Sequence, residues 1–112
     1  MAGNEGNESS AAIRARVEEA HRRQRERYGN RGWNFNSGIP SSAIKKFCPL
    51  GSREMEIMET AFERLGLSAR AYHRIIKVAR TIADLEGEQR IREHHLLEAI
   101  GYRSLDLKFW GR

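Results

Sequence analysis

Apolar residues in this chain recur at intervals of three and four and never in runs of strict alternation. That is the spacing of helix faces rather than of strands. Met55, Met58, Phe62 and Leu65, broadened by Ile57 and Ala61, give the core face of one helix. Ser52 stands as its N-cap, Glu54 and Glu56 suit the positive end of its dipole, and Gly66 stops it. A second helix opens at Ser68 and closes at Gly87. Tyr72, Ile75, Ile76, Ala79, Ile82 and Ala83 form a wide stripe on it, which marks it as the central helix. A third runs from about Glu93 to Tyr102, with Leu96, Leu97 and Ile100 facing inward.

Upstream, a helix from about Ser10 to Tyr28 takes Ser9 or Ser10 as its cap. Its apolar stripe is thin: Ile13, Val17, Ala20 and Tyr28 among many arginines and glutamates. Most helix stability comes from packing, so this helix is expected to be loosely held. GNRGWNFNSGIP reads as a linker, with Trp33 and Phe35 pinning it to the rest. Pro40 starts a short helix over Ser41 to Phe47, and Pro49 ends it. RSLDLKFWGR carries too few anchors for an element to be assigned. The expected fold is all-α, a small bundle of about four to five helices.

Composition narrows the function without choosing it. The chain has 112 residues, of which 39% are hydrophobic and 31% charged, enough for one modest core. A net charge of +5 and a pI of about 9.9 favour acidic partners, whether nucleic acid, nucleotide phosphates or an acidic protein surface. With one cysteine, Cys48, no internal disulfide forms, consistent with a cytoplasmic setting. No stretch approaches bilayer length. The opening MAGNEGNESS has no signal-peptide apolar region and suggests a disordered lead-in; Met1 is read as a start placed on a fragment.

Enzyme chemistry is missing from the pattern. There is no G-x-x-x-x-G-K-[ST] loop, no G-x-G-x-x-G and no zinc spacing. His94 and His95 are neighbours on a helix and point about 100° apart, a poor arrangement for one metal. Cys48 lacks an activating base and reads as a buried structural thiol. No catalytic residue is therefore assigned. What remains is a row of cations. Arg70, Arg74 and Lys77 fall at i, i+4 and i+7 on the central helix, with Arg70 in its first turn. Free N–H groups, a partial positive charge and a guanidinium fork suit a phosphate there. A solvated face on a basic protein accounts for the same spacing.

The stretch LSARAYHRIIKVARTIADLEG, followed by IREHHLLEAIGYRSLD, resembles the C-terminal domain of the magnesium-chelatase-like AAA+ ATPases, the competence-associated ComM/YifB group. That family reads close to L-S-A-R-A-Y-H-R-I-L-[KR]-V-A-R-T-I-A-D-L, then I-x-x-x-H-[IVL]-x-E-A-[IL]-x-Y-R. ESSAAIRARVEEAHRRQRERYGN resembles the family's upstream segment, with His21 where arginine is usual. GWNFNSGIP keeps an asparagine but lacks the family's following leucine. The likeness spans roughly Glu8 to Asp106.

The resemblance implies an AAA+ lid. Residues 1–9 would be a lead-in, 10–39 a helix and linker from a missing ATPase core, 40–106 the lid, and 107–112 a tail. Arg70 matches the sensor 2 arginine that reaches the terminal phosphate of the nucleotide. Arg74 would support it or meet a neighbouring subunit. Lys77 and Arg80 are expected to face solvent, with DNA-backbone contact as their minor role. ATP and Mg2+ would belong to the parent protein, with none held tightly by this fragment. The implied partners are its own AAA+ core, neighbouring subunits of a homo-oligomeric ring (a hexamer) and DNA, with no membrane. The implied output is helicase or branch-migration work in recombination. The alternatives are a stand-alone basic DNA-binding module, a protein-interaction module using the first helix, and a subunit of a metal-chelatase-type ATPase.

Overall fold

The computed structural model describes residues 9–110, with side chains through Tyr102. Five α-helices follow in order: α1 Ser10–Tyr28, α2 Ile44–Phe47, α3 Ser52–Leu65, α4 Ala69–Glu86 and α5 Glu93–Trp110. Two single 3-10 turns, Asn36–Gly38 and Ser41–Ala43, lie between α1 and α2. No strand occurs among the described residues, so the all-α expectation holds.

The starts and stops follow local chemistry. Ser9 Oγ accepts the Ala12 N–H at 3.0 Å and caps α1. Ser68 Oγ does the same for α4, accepting from Ala71 at 3.1 Å. In α3 the cap is Gly51 rather than the expected Ser52, which is already helical; the Gly51 carbonyl accepts the Met55 N–H at 2.8 Å. Gly66 and Gly87 end α3 and α4 at φ of 62° and 79°, a region costly for any residue with a Cβ.

Helix α4 is central, touching α1, the 36–38 turn, α2 and α5, while α3 packs on α5. Ile75, Ile76 and Ala79 bury its inner face against Met58, Ile91, Leu96 and Ala99, and Ala83 is buried further along. The same core takes in Tyr28, with Trp33 and Phe47 packed on it and ring centroids 5.3–5.9 Å apart.

Several expectations for single residues fail. Phe62, Leu65 and Leu97 are exposed; Ala61, Leu67 and Ala99 take the buried places instead. Phe62 rests edge-on against Tyr72 at 5.7 Å. Trp33 does pack inward, but Phe35 is exposed and lies against His21. RSLDLKF and Trp110, left without an element above, continue α5; the last two residues lie outside the described ones.

Cys48 is buried, as the sequence suggests, and burial pushes its thiol up to about 11. The Tyr28 hydroxyl is pushed up to about 12 for the same reason. Both groups ionise more readily in the unfolded chain, so their stabilising effect is whole below about pH 9 and is lost as pH rises toward about 11–12. Thermal unfolding followed from pH 8 to 11 should therefore show a falling midpoint. At pH 7 a thiol reagent should label Cys48 only on unfolding; labelling of the folded chain at a free-thiol rate would contradict its burial.

Candidate functional site

Three of the four cations singled out above share one surface. Arg70, Arg74 and Lys77 line an open groove of about 1820 Å3, joined by Arg16 of α1. Its apolar floor includes Ile39, Val78 and Ile82. Glu86 and Glu98 also line it, and both follow the cations in sequence. The groove forms because α1, the 37–41 segment and α5 flank the outer face of α4. Arg70 sits two residues after the Ser68 cap, where first-turn N–H groups lack helical partners. It is exposed, and among the described residues its guanidinium makes no hydrogen bond or ion pair. Lys77 differs: its Nζ donates to the Ser37 carbonyl at 3.3 Å, so it ties α4 to the linker.

Arg80 is not on this surface. The expectation that it faces solvent is wrong: it is 2% exposed and forms part of a buried polar cluster. Its spacing of three from Lys77 turns it toward α1 and the turn after α4. Arg80 Nη1 donates to the Gln89 carbonyl at 3.0 Å and Nη2 to the Glu88 carbonyl at 2.9 Å. Nη2 also lies 3.1 Å from Asp84 Oδ1. Burial lowers the pKa of Arg80 and the Asp84 carboxylate opposes that. Arginine stays charged regardless.

Asp84 is the anion of the cluster. Arg27 of α1 grips it with two bonds of 2.7 and 3.0 Å, and Asn36 Nδ2 donates to it at 2.9 Å. Asn36 is itself 1% exposed and meets every neighbour. Its amide also donates to Thr81 Oγ1 at 3.0 Å, its Oδ1 accepts from Tyr28 Oη and Arg27, and its backbone N–H donates to Gln24 at 2.8 Å. The linker is thus pinned chiefly by an asparagine, with Trp33 packing beside it. Of this cluster the sequence pattern marks Tyr28, as part of an apolar stripe, and Arg80, as a solvent-facing cation, and the structure corrects the second. The available signal was an asparagine shared with the family's linker and an Arg/Asp pair at i, i+4 inside a wide apolar stripe.

A third cluster joins α4 to α5. His95 is fully buried, and its Nδ1 accepts the Arg92 N–H at 2.8 Å. That completes half of a capping box, with histidine in the place usually held by Glu or Gln. The neutral ring then carries its proton on Nε2, which reaches Glu86 Oε1 at 2.8 Å. His94 Nε2 lies 3.0 Å from the same oxygen, so the two rings converge despite their angular offset. Bonds from His94 and then His95 hold the Glu86 carboxyl below its usual range. The three side chains bring a ligand atom each to within 4.8 Å of one another. With His95 Nε2 spent as a donor, a metal would keep only Glu86 and the exposed His94. His95→Gln should preserve both bonds, whereas His95→Ala should melt earlier, by the equivalent of about 2 kcal/mol. Equal melting of the two variants would refute the capping role.

The groove presents the exposed Arg70 guanidinium at its edge, and the two polar clusters tie helices together. Among the described residues no helix is long and apolar enough to cross a membrane. Residues 7–103 match the family described as magnesium chelatase, subunit ChlI C-terminal. The chain is 46% identical over 98 residues to the competence protein ComM of Haemophilus influenzae, covering 88% of this chain and 18% of that one. It is 41% identical over 99 residues to the uncharacterized protein YifB of Salmonella typhimurium, and equally to that of Escherichia coli, with 88% of this chain and 19% of each relative covered. The chain thus spans about a fifth of the length of these relatives. Its matched residues run from before α1 into α5 and hold both polar clusters and the basic groove, and the chain belongs to the magnesium chelatase subunit ChlI C-terminal family.

Proposed function

We propose that this chain is the lid of an AAA+ ATPase and that Arg70 is its contact to the terminal phosphate of ATP. The observation that carries this reading is the placement of Arg70: exposed, unpaired among the described residues, in the first turn of a capped helix, at the edge of an open groove. A guanidinium there fits a phosphate in charge and in geometry. Among the described residues the acidic side chains lining the groove are Glu86 and Glu98, and no phosphate-binding loop occurs in the sequence, so Mg2+ and most phosphate contacts would fall to a separate ATPase core. ATP hydrolysis supplies the free energy. Arg70 donates to the terminal phosphate and loses that partner once it is gone. Helix α4 then swings as part of a rigid body, a small rotation of the kind that domain switches use.

The work done with that swing is read as remodelling of DNA in recombination, within a homo-oligomeric ring in the cytoplasm. The net charge of +5 supports an anionic partner. The name of the competence protein among the relatives supports DNA over a metal-insertion partner. Arg74 is a supporting residue in the groove, and Lys77 has a structural tie as well as a charge. The test is steady-state ATP hydrolysis by the full-length protein, wild type against Arg70→Ala, with and without DNA. A lower rate in the variant with the fold intact supports the phosphate role. An unchanged rate removes it. DNA stimulation of the wild type supports the motor reading, and its absence favours a metal-insertion partner.

A further inference from the structure

The buried cluster raises a question that the groove does not answer. Helix α1 has little apolar grip on α4: Ala20 and Tyr28 are buried, while Ile13 and Val17 are 45% and 37% exposed. Its seat is instead set by directional bonds: Arg27 and Tyr28 donate to Asp84 and Asn36, and Gln24 accepts the Asn36 N–H. Apolar residues of similar volume often stabilise such an interface as well or better. What they do not give is a fixed angle, because apolar contacts slide and a bidentate guanidinium–carboxylate pair does not.

We infer that Arg27, Asn36 and Asp84 are positioning residues for Arg70: they clamp the far end of α4 to α1 and so set where the near end presents its guanidinium. This rests on the phosphate role of Arg70 given above. Asp84 and Arg70 lie fourteen residues apart on one helix, roughly 21 Å at the usual rise. A tilt of about 5° at the clamp would carry Arg70 by roughly 2 Å over that lever. Misplacement of a reacting partner by about 1 Å costs on the order of 100-fold in rate. A clamp distant from the groove therefore has enough leverage to matter. Two cations on one carboxylate, with Asn36 filling the remaining acceptor site, leave little freedom for that tilt.

The experiment is a double-mutant cycle on ATP hydrolysis by the full-length protein. Arg27→Lys is the mild variant: it keeps the charge beside Asp84 and removes the fork. Asp84→Asn is the stronger one, and circular dichroism confirms that each variant is folded. Arg27→Lys should lower kcat about tenfold or more, with KM for ATP changed much less. Combined with Arg70→Ala it should lower kcat no further, because the residue it positions is already absent. A purely structural role predicts losses that multiply instead. Folded Arg27→Lys and Asp84→Asn variants with wild-type kcat, or a double variant at the product of the single losses, overturn the inference. Loss in Arg70→Ala with neither clamp variant affected removes the positioning role alone. An inert Arg70→Ala removes the phosphate reading and this inference together.

Discussion

Asp84→Ala should lower the stability of the folded chain by about 3–5 kcal/mol, the range seen when one partner of a buried pair is removed. The magnitude follows from what is left behind. Arg80 would lose its only carboxylate while still buried against two carbonyls. Arg27 would lose both of its bonds to the carboxylate, and Asn36 Nδ2 would keep Thr81 as its acceptor. For a domain of this size that corresponds to a midpoint lower by roughly 15–30 °C. Urea unfolding of the wild type and variant measures it directly, provided the slope is unchanged. Asp84→Asn keeps one acceptor oxygen and should fall between the two. A loss below about 1 kcal/mol would mean that water or a neighbouring side chain replaces the carboxylate.

Arg70→Ala should leave stability nearly untouched, because the side chain is exposed and bonds to nothing among the described residues. Its effect is expected in catalysis by the full-length protein. A hydrogen bond to a charged group contributes about 1.5–3 kcal/mol. If it is made fully only in the transition state, its removal slows kcat by roughly 10- to 150-fold. Lys77→Ala is the matched control, since that ammonium is already committed to the Ser37 carbonyl. Equal losses in the two variants would point to the general positive field of the groove rather than to one arginine.

The sequence was most legible where one local rule decided the outcome. Ser68, Gly66 and Gly87 mark helix ends through a single side chain or its absence, and of the two serines offered for α1 the structure uses Ser9. The alignment of Arg70, Arg74 and Lys77 follows from helix periodicity alone. Errors arose where the answer depended on a distant partner. Phe62 and Leu97 have the right spacing for a core face, yet Ala61 and Ala99 are the residues buried there, because the partner helix, not the spacing, decides which part of a face is covered. Arg80 looks like a surface cation until Asp84, Glu88 and Gln89 are placed around it. His94 and His95 diverge along their helix but converge on Glu86, which arrives from another one. Asn36 sits in what reads as flexible linker, and nothing local announces that it is buried.

The separation along the chain of the residues in the buried cluster also orders its assembly. Arg27 and Asp84 are 57 residues apart, and Asn36 and Asp84 are 48 apart. By contrast, α3 to α4 and α4 to α5 are joined by short turns. Closing a long loop costs entropy before any contact repays it, so nearby helices come together first. The hairpin of α4 and α5 can therefore form early, with Arg80 already held by its own turn. Helix α1 and the Asn36 segment arrive last and lock the carboxylate between two arginines. Bonds made that late are expected to act mainly on the rate of unfolding, so the cluster should serve as a kinetic latch: Asp84→Asn should speed unfolding more than it slows refolding.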